Sequence, residues 1–300
     1  MRDPLLLSSF HNSGSTAFLD MLCQHPQVHA DGTSPLDAAY GSLRAAYSSS
    51  KEMVAFRHRN EEQADERIWQ SARGWFEGFF EPLGLEEDTV VVDKGRRWVN
   101  HVDSFRKVWP ESRLVYLVRN PLNCWASTVR QDLERNPFLT DGMGVPHEIL
   151  VERFARYFKD TTDQNGPEGP LGYCLKRVES ILNHGPARYP NVLFVTYESF
   201  CANPAAVMKK LCIDCGLDDF AGWDPEHVEA VTSVDIDANT NSKWNHPAMG
   251  SVSPVKMSKT NWRRMGAASE AQAISLARRY PLIFNRWGYA DDLKALRRVS

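Results

Sequence analysis

Small and hydroxyl-bearing residues follow the first apolar segment of the chain, where they could bind an anion such as a phosphate group. Residues 5–9 predict a buried strand, residues 10–16 read FHNSGST, and a helix is predicted over residues 17–24. Small residues let backbone N–H groups turn toward an anion, and a helix N-terminus adds its dipole. Ser15 and Thr16 can add hydroxyl donors. The segment predicts an anion-binding loop; the alternative is an ordinary Ser/Thr cap on a tight turn.

The loop lacks the features of a magnesium-dependent nucleotide hydrolase. Its sequence does not contain the G-x-x-x-x-G-K-[ST] pattern, so the lysine of a Walker A loop is absent. Cys212 and Cys215 form one Cys-x-x-Cys pair, but no second pair or nearby histidine completes a zinc site. We therefore disfavour an ATPase or GTPase and predict no metal site.

A second group suited to anions follows another apolar segment. Residues 114–118 predict a strand that ends at Arg119, and a helix over residues 122–133 carries Ser127. An arginine at the carboxyl end of a central strand lies where ligands bind in open parallel sheets. Its guanidinium suits bidentate contact with phosphate. The alternative for Arg119 is a structural salt bridge.

The elements that must position these residues alternate between strand and helix. Strands are predicted over residues 5–9, 90–93, 114–118 and 192–196. Helices are predicted over residues 17–24, 61–80, 99–109, 122–133, 147–183 and 205–215. This alternation predicts an α/β fold, with a parallel sheet flanked by helices on both faces in a single domain over residues 1–300. Residues 235–259 lack clear periodicity, so we predict a lid or acceptor-binding loop over residues 235–264.

Composition restricts the partners and the compartment. The chain has 300 residues, 42% of them hydrophobic, and a formal net charge of −3 without a long run of like charge. We therefore expect no nucleic-acid or membrane partner, and a polyanion must be held by a local basic cluster. The early apolar run, residues 5–7, is too short for a membrane span or a signal peptide. Six scattered cysteines fit reduced thiols. These features predict a cytoplasmic protein.

The order of the segments resembles that of sulfotransferases that use 3′-phosphoadenosine 5′-phosphosulfate (PAPS), in the bacterial and tyrosylprotein-like branch. Residues 9–28, SFHNSGSTAFLDMLCQHPQV, resemble the family's 5′-phosphosulfate loop. Residues 115–127, VYLVRNPLNCWAS, resemble its 3′-phosphate motif. Shorter similarities are VDK at residues 92–94, VTYESF at 195–200 and SKTNWR at 258–263. Together these landmarks extend from about residue 5 to residue 264 in the expected order.

The resemblance implies a P-loop-like fold and transfer of a sulfuryl group from PAPS to a hydroxyl or amine, leaving adenosine 3′,5′-bisphosphate. It assigns the 5′-phosphosulfate to Ser13, Gly14, Ser15 and Thr16, and the 3′-phosphate to Arg119 and Ser127. Tyr197 is placed near the adenosine, Lys94 beside the transferring sulfuryl group, and Ser258 or Lys259 on the closing loop. We favour a small-molecule acceptor because a broadly basic face is lacking; a glycan, a peptide tyrosine and a lipid-like alcohol remain alternatives.

Asn12 departs from the family pattern, which has Arg or Lys at this position to neutralise charge on the leaving phosphate. His11, Lys94 or Lys259 can compensate. Without such compensation, the chain is a slow enzyme or a non-catalytic PAPS-binding protein. A nucleotide-dependent kinase also fits the sheet but lacks the lysine-bearing loop. The KMSKT run at residues 256–260 resembles a loop of class I aminoacyl-tRNA synthetases, whose His-x-Gly-His signature is absent.

Several residues are candidates for the general base that removes the acceptor proton. Related enzymes carry a carboxylate shortly after the His-Pro pair, which makes Asp31 the first candidate and Asp37 the second. Either residue is otherwise a solvated loop acid. His11 and His101 are rival candidates, although His101 falls in a predicted amphipathic helix and can be an ordinary partly buried imidazole.

Overall fold

The computed structural model describes residues 2–32, 34–135, 158, 171–229, 231 and 268–291. Its strands are β1 (Leu5–Ser9), β2 (Val28–His29), β3 (Val90–Lys94), β4 (Arg113–Val118) and β5 (Val192–Thr196). They form one parallel sheet in the order β2-β3-β1-β4-β5. β1 is therefore central, with β3 and β4 on either side, and the carboxyl ends of all the strands lie at one edge of the sheet.

Helices surround this sheet. They are α1 (Ser15–Leu22), α2 (Leu36–Ser49), α3 (Lys51–Arg59), α4 (Glu61–Phe80), α5 (Phe105–Val108), α6 (Pro121–Arg135), α7 (Gly172–His184), α8 (Tyr197–Ala202), α9 (Pro204–Cys215), α10 (Ala268–Arg279) and α11 (Pro281–Arg286). Short 3₁₀ turns cover Glu81–Leu83 and Arg96–His101. Within the described residues, no helix is both long and apolar enough to cross a membrane.

Both faces of the sheet are buried at its three central strands, β1, β3 and β4, as expected for a parallel sheet covered by helices, whereas the edge strands β2 and β5 are half-buried. Along β1, Leu6 packs into one apolar cluster, while Leu5 and Leu7 pack into the other. β4 alternates in the same way, with Tyr116 on the first face and Val115 on the second. The α/β class, the parallel sheet with helices on both faces and the single domain are thus confirmed.

Most predicted elements are present, but the predicted helix over residues 99–109 is wrong. The chain instead forms the 3₁₀ turn Arg96–His101 and then the short helix α5. Buried apolar side chains recur there at every third position: Val99, Val102, Phe105 and Val108. That spacing suits three residues per turn better than 3.6. The Val99 carbonyl accepts a hydrogen bond from Arg177 Nε at 3.1 Å, which ties this turn to α7.

Some elements were not predicted, and others cannot be compared. The edge strand β2 has only two residues, and neither α2 nor α3 was assigned from the sequence. Of the predicted helix over residues 147–183, α7 lies in the described part. The predicted lid or acceptor loop over residues 235–264 lies outside the described residues, as do Ser258 and Lys259.

Candidate functional site

The loop between β1 and α1 is a tight turn that depends on two left-handed residues. Asn12 has φ 56° and Gly14 has φ 82°. Asparagine tolerates this region better than most residues, and glycine enters it freely. The Ser13 amide donates to the Phe10 carbonyl at 3.3 Å, and the Phe18 amide donates to the Gly14 carbonyl at 3.0 Å as α1 begins. The turn thus connects a buried strand directly to a helix N-terminus.

The packing of Tyr197 also requires glycine at position 14. A Cβ atom added at Gly14 would lie 2.3 Å from Cε2 of Tyr197, a distance that real contacts do not reach. Tyr197 is the first residue of α8, directly after β5. Its ring therefore lies against the loop. Burial raises the pKa of the Tyr197 phenol above its ordinary value, so the ring is neutral at physiological pH.

The loop offers a buried hydroxyl to a ligand. Ser13 is 1% exposed, and its Oγ has no hydrogen-bond partner among the residues that the structure describes. A buried polar atom without a partner is costly, and a bound anion would remove that cost. Ser15 and Thr16 are half-buried in the first turn of α1, where unpaired amides and the helix dipole favour negative charge.

Arg119 lies directly beside this loop. It follows β4, and its Nη1 donates to the Asn12 carbonyl at 2.7 Å. Its guanidinium also lies over the Tyr197 ring, with Cζ 4.7 Å from the ring centroid. The carboxyl ends of β1, β4 and β5 therefore bring Asn12, Arg119 and Tyr197 into one cluster. Ser127, predicted with Arg119, is buried on α6.

A carboxylate that the sequence analysis missed supports the Arg119 turn. Glu198 Oε1 accepts a hydrogen bond from the Asn120 backbone amide at 3.0 Å. Glu198 Oε2 accepts one from the Tyr289 hydroxyl at 3.0 Å. The Asn120 side chain accepts from the Leu122 amide and so caps the start of α6. Tyr289 lies far along the chain, so sequence spacing carried no signal for it.

The Asn12 side chain points toward α6. Its Nδ2 donates to Thr128 Oγ1 at 2.7 Å, and that hydroxyl in turn donates to the Cys124 carbonyl at 3.2 Å. Thr128 is the neighbour of Ser127. The side-chain amide of Asn12 therefore links the loop by a hydrogen bond to α6, the helix that carries Ser127.

Lys94 is the cation that reaches the helix side of the loop. It is the last residue of β3, and its Nζ donates to Thr16 Oγ1 at 3.2 Å. Burial lowers the pKa of Lys94 to about 8, Asp20 opposes this shift, and Arg96 adds to it. A buried amine that titrates near neutral pH is a common feature of functional sites.

The structure separates the candidate bases. Asp31 is half-exposed and accepts a hydrogen bond from His29 Nε2 at 3.1 Å. Asp37 is buried, and its Oδ2 accepts the Arg97 backbone amide at 2.8 Å, which is a structural use. His11 is buried within the loop. The pKa of His101 is lowered to about 4, mainly by burial and next by Arg44. His101 therefore stays neutral inside an aromatic cluster with Tyr40.

Asp93 is a further acid that the sequence analysis left out. It is 1% exposed beside Lys94, and it accepts hydrogen bonds from Ser34 Oγ at 2.7 Å and from Trp98 Nε1 at 3.4 Å. Burial raises its pKa to about 7, the two hydrogen bonds lower it, and Asp37 and Asp31 raise it further. In the described part of the chain, no group of three or more His, Cys, Asp or Glu side chains is arranged to hold a metal ion.

A groove of about 1000 Å³ is lined by residues of β5 and of the helices around it. It runs along the outer edge of β5 and is lined by apolar residues such as Val192, Phe194 and Leu282. None of the predicted site residues lines it. The groove therefore contains no residue that the sequence assigned to anion binding.

Comparisons with known proteins agree with the fold and identify the family. The model of the Sulfotransferase family matches residues 4–222. The sulfotransferase domain of the Synechococcus PCC 7002 olefin synthase superposes with a TM-score of 0.53 at 15% identity, covering 94% of this chain and 96% of that chain. The sulfotransferase domain from the curacin biosynthetic pathway has a TM-score of 0.53 at 13% identity, covering 92% of this chain and 99% of that chain.

These two structural similarities show a shared fold, since their identities are low. No curated protein sequence matches the chain. The family model, in contrast, covers well over half of the 300 residues, including the phosphate-loop candidate and the strand that ends at Arg119. The chain belongs to the sulfotransferase family.

Proposed function

We propose that this sulfotransferase takes the sulfuryl group from PAPS and passes it to a hydroxyl or amine of a small acceptor. The observation that carries the proposal is the contact between Arg119 and the Asn12 carbonyl at 2.7 Å. It brings a guanidinium from β4 to the anion-binding turn that follows β1. One nucleotide with phosphate groups at both the 5′ and 3′ positions can therefore reach both groups.

The residues divide between the two ends of the nucleotide. Ser13 Oγ and the amides at the start of α1 would hold the 5′-phosphosulfate, which supplies the partner that the buried hydroxyl lacks among the described residues. Arg119 would exchange the Asn12 carbonyl for the 3′-phosphate, a stronger acceptor because it is charged. Ser127 would add a hydroxyl, and Tyr197 would face the adenosine. ATP has no 3′-phosphate for Arg119, so the site favours PAPS.

The transfer step needs positioning and charge stabilisation more than covalent help from the protein. The acceptor oxygen or nitrogen forms a bond to sulfur, and the bond between sulfur and the leaving phosphate oxygen breaks. Lys94, through its contact with the Thr16 side of the loop, would stabilise charge on the transferring group and the leaving oxygen. A base must take the acceptor proton, and Asp31 is the candidate with an accessible carboxylate.

Ligand binding tests the nucleotide assignment. Adenosine 3′,5′-bisphosphate should raise the thermal unfolding temperature more than ADP or ATP at equal concentration. Arg119→Ala should weaken bisphosphate binding by about 1.5–3 kcal/mol, measured by calorimetry, because a charged hydrogen bond is lost. Arg113→Ala is the matched control, since Arg113 begins the same strand at its opposite end. Equal stabilisation by ATP, or an unchanged affinity in Arg119→Ala, would contradict the assignment.

One observation favours a second function, PAPS binding without catalysis. Asn12 brings no charge, and its amide is already bonded to Thr128. Turnover with radiolabelled PAPS and a panel of small hydroxyl and amine acceptors separates the two functions. Labelled product supports the transferase, whereas bisphosphate binding without product for any acceptor class supports the binding protein.

A further inference from the structure

Two ionisable side chains of opposite charge are buried beside the loop between β1 and α1, residues 10–14, which we call the phosphate loop. Asp20 is 4% exposed and Lys94 is 9% exposed. Asp20 follows Thr16 by four residues on α1, so the two side chains lie on the same face of the helix, one turn apart. Lys94 Nζ contacts Thr16 Oγ1 at 3.2 Å and therefore approaches that face.

Each of the two groups alters the ionisation of the other. Burial raises the pKa of Asp20, and Lys94 is the charged group that lowers it. Burial lowers the pKa of Lys94 to about 8, and Asp20 is the largest influence in the opposite direction. Arg96 lowers the pKa of Lys94 further, and the Cys23 thiol raises it slightly. Asp20 is therefore the main counter-charge that keeps a buried amine protonated.

We propose that Asp20 is a positioning residue whose carboxylate keeps the Lys94 ammonium charged and directed at the Thr16 end of the phosphate loop. The effect of Asp20 on catalysis rests on the proposed function, in which Lys94 stabilises charge during sulfuryl transfer. Asn12 carries no charge, and Lys94 is the described lysine whose ammonium contacts the Thr16 end of the loop, so we assign charge stabilisation at the transferring group to it. The carboxylate of Asp20 acts through Lys94 and has no direct contact with substrate in the proposal.

Asp20→Asn separates this role from a structural one. Asp20 Oδ1 accepts the Val231 backbone amide at 3.2 Å, and an asparagine oxygen can keep that bond while the charge is lost. Removing a nearby opposite charge should lower the pKa of Lys94 by about one unit. At pH 8 the protonated fraction of Lys94 then falls from about half to about a tenth, and at pH 6 it hardly changes.

The activity of Asp20→Asn relative to the unchanged protein should therefore fall about fivefold more at pH 8 than at pH 6. In a Lys94→Arg background, the same substitution should lose no more activity at pH 8 than at pH 6, because arginine stays protonated. A loss that is equal at both pH values in the Lys94 background would overturn the proposal.

A spectroscopic measurement tests the coupling without turnover. The Cε resonance of Lys94 in protein carrying ¹³C-labelled lysine, assigned with Lys94→Met, should titrate at lower pH in Asp20→Asn. If Asp20→Asn does not fold, the reciprocal effect remains: Lys94→Met should raise the pKa of Asp20, followed by its carboxyl ¹³C resonance. An unshifted titration refutes the inference. Absence of turnover in the unchanged protein, together with a shifted titration, refutes the proposed function alone.

Discussion

Replacing Gly14 by alanine probes the contact that joins the phosphate loop to Tyr197. The new Cβ would lie 2.3 Å from Tyr197 Cε2 and 2.7 Å from Cδ2, on a backbone with φ +82°. The left-handed conformation costs about 1–2 kcal/mol for an L-residue, and overpacking costs about 1–3 kcal/mol. Gly14→Ala should therefore lower the free energy of unfolding by about 2–5 kcal/mol in total.

Urea unfolding of four proteins separates the two contributions. In a Tyr197→Ala background the steric part disappears, so Gly14→Ala should cost about 1–2 kcal/mol. Gly84→Ala is a matched control, because Gly84 has φ +60° and a Cβ there would meet nothing within 4 Å. It should show the conformational cost alone. An equal cost of Gly14→Ala with and without the Tyr197 ring would refute the packing argument.

The same substitution should also weaken nucleotide binding. The Tyr197 ring lies under the Arg119 guanidinium, with Cζ 4.7 Å from the centroid. The new methyl group points at the Tyr197 ring, and displacing that ring removes the support of the Arg119 guanidinium. Calorimetry with adenosine 3′,5′-bisphosphate should show a loss of affinity for Gly14→Ala and an unchanged affinity for Gly84→Ala.

Two further predictions concern Asp93 and Tyr289. The raised pKa of Asp93, about 7, means that folding favours its protonated form. The stability that protonated Asp93 contributes is fully present below its unfolded pKa near 3.8 and is lost as pH rises through its folded pKa of about 7. The stability of Asp93→Asn relative to the unchanged protein should therefore rise by about 3 kcal/mol between pH 5 and pH 8, measured by urea unfolding; a constant difference contradicts this. Tyr289→Phe removes the hydroxyl that donates to Glu198, so bisphosphate affinity should fall by about 1 kcal/mol in calorimetry. An unchanged affinity would mean that Glu198 holds the Arg119 turn without Tyr289.

Local patterns in the sequence identified the elements that build the site. The apolar run Leu5–Ser9 and the small residues after it predicted a strand, a tight turn and a helix, because each depends on neighbours along the chain. β4 with the arginine that follows it was predictable for the same reason. The sequence also placed Tyr197 directly after β5. The prediction of a helix over residues 99–109 was wrong, because apolar residues spaced every three positions were interpreted as an α-helical period.

Contacts between distant segments could not be derived in this way. No local sequence pattern indicates that the Asn12 side chain donates a hydrogen bond to Thr128. The same holds for the hydrogen bond from the Tyr289 hydroxyl to Glu198, and for the backbone amide that donates to the Asp37 carboxylate. The ionisation of Lys94 and Asp93 likewise depends on burial and on side chains from other elements. These properties follow from packing, which a linear pattern does not specify.

The sequence by itself determined the fold class, the tight turn between β1 and α1 and the arginine at the end of β4, because backbone conformation and apolar periodicity are encoded within a few residues. Only the tertiary structure decided that Arg119 meets the Asn12 carbonyl and that Lys94 shares a buried site with Asp20. Those contacts arise where separate strands end at one edge of the sheet, and strand order is set by the packing of the whole core.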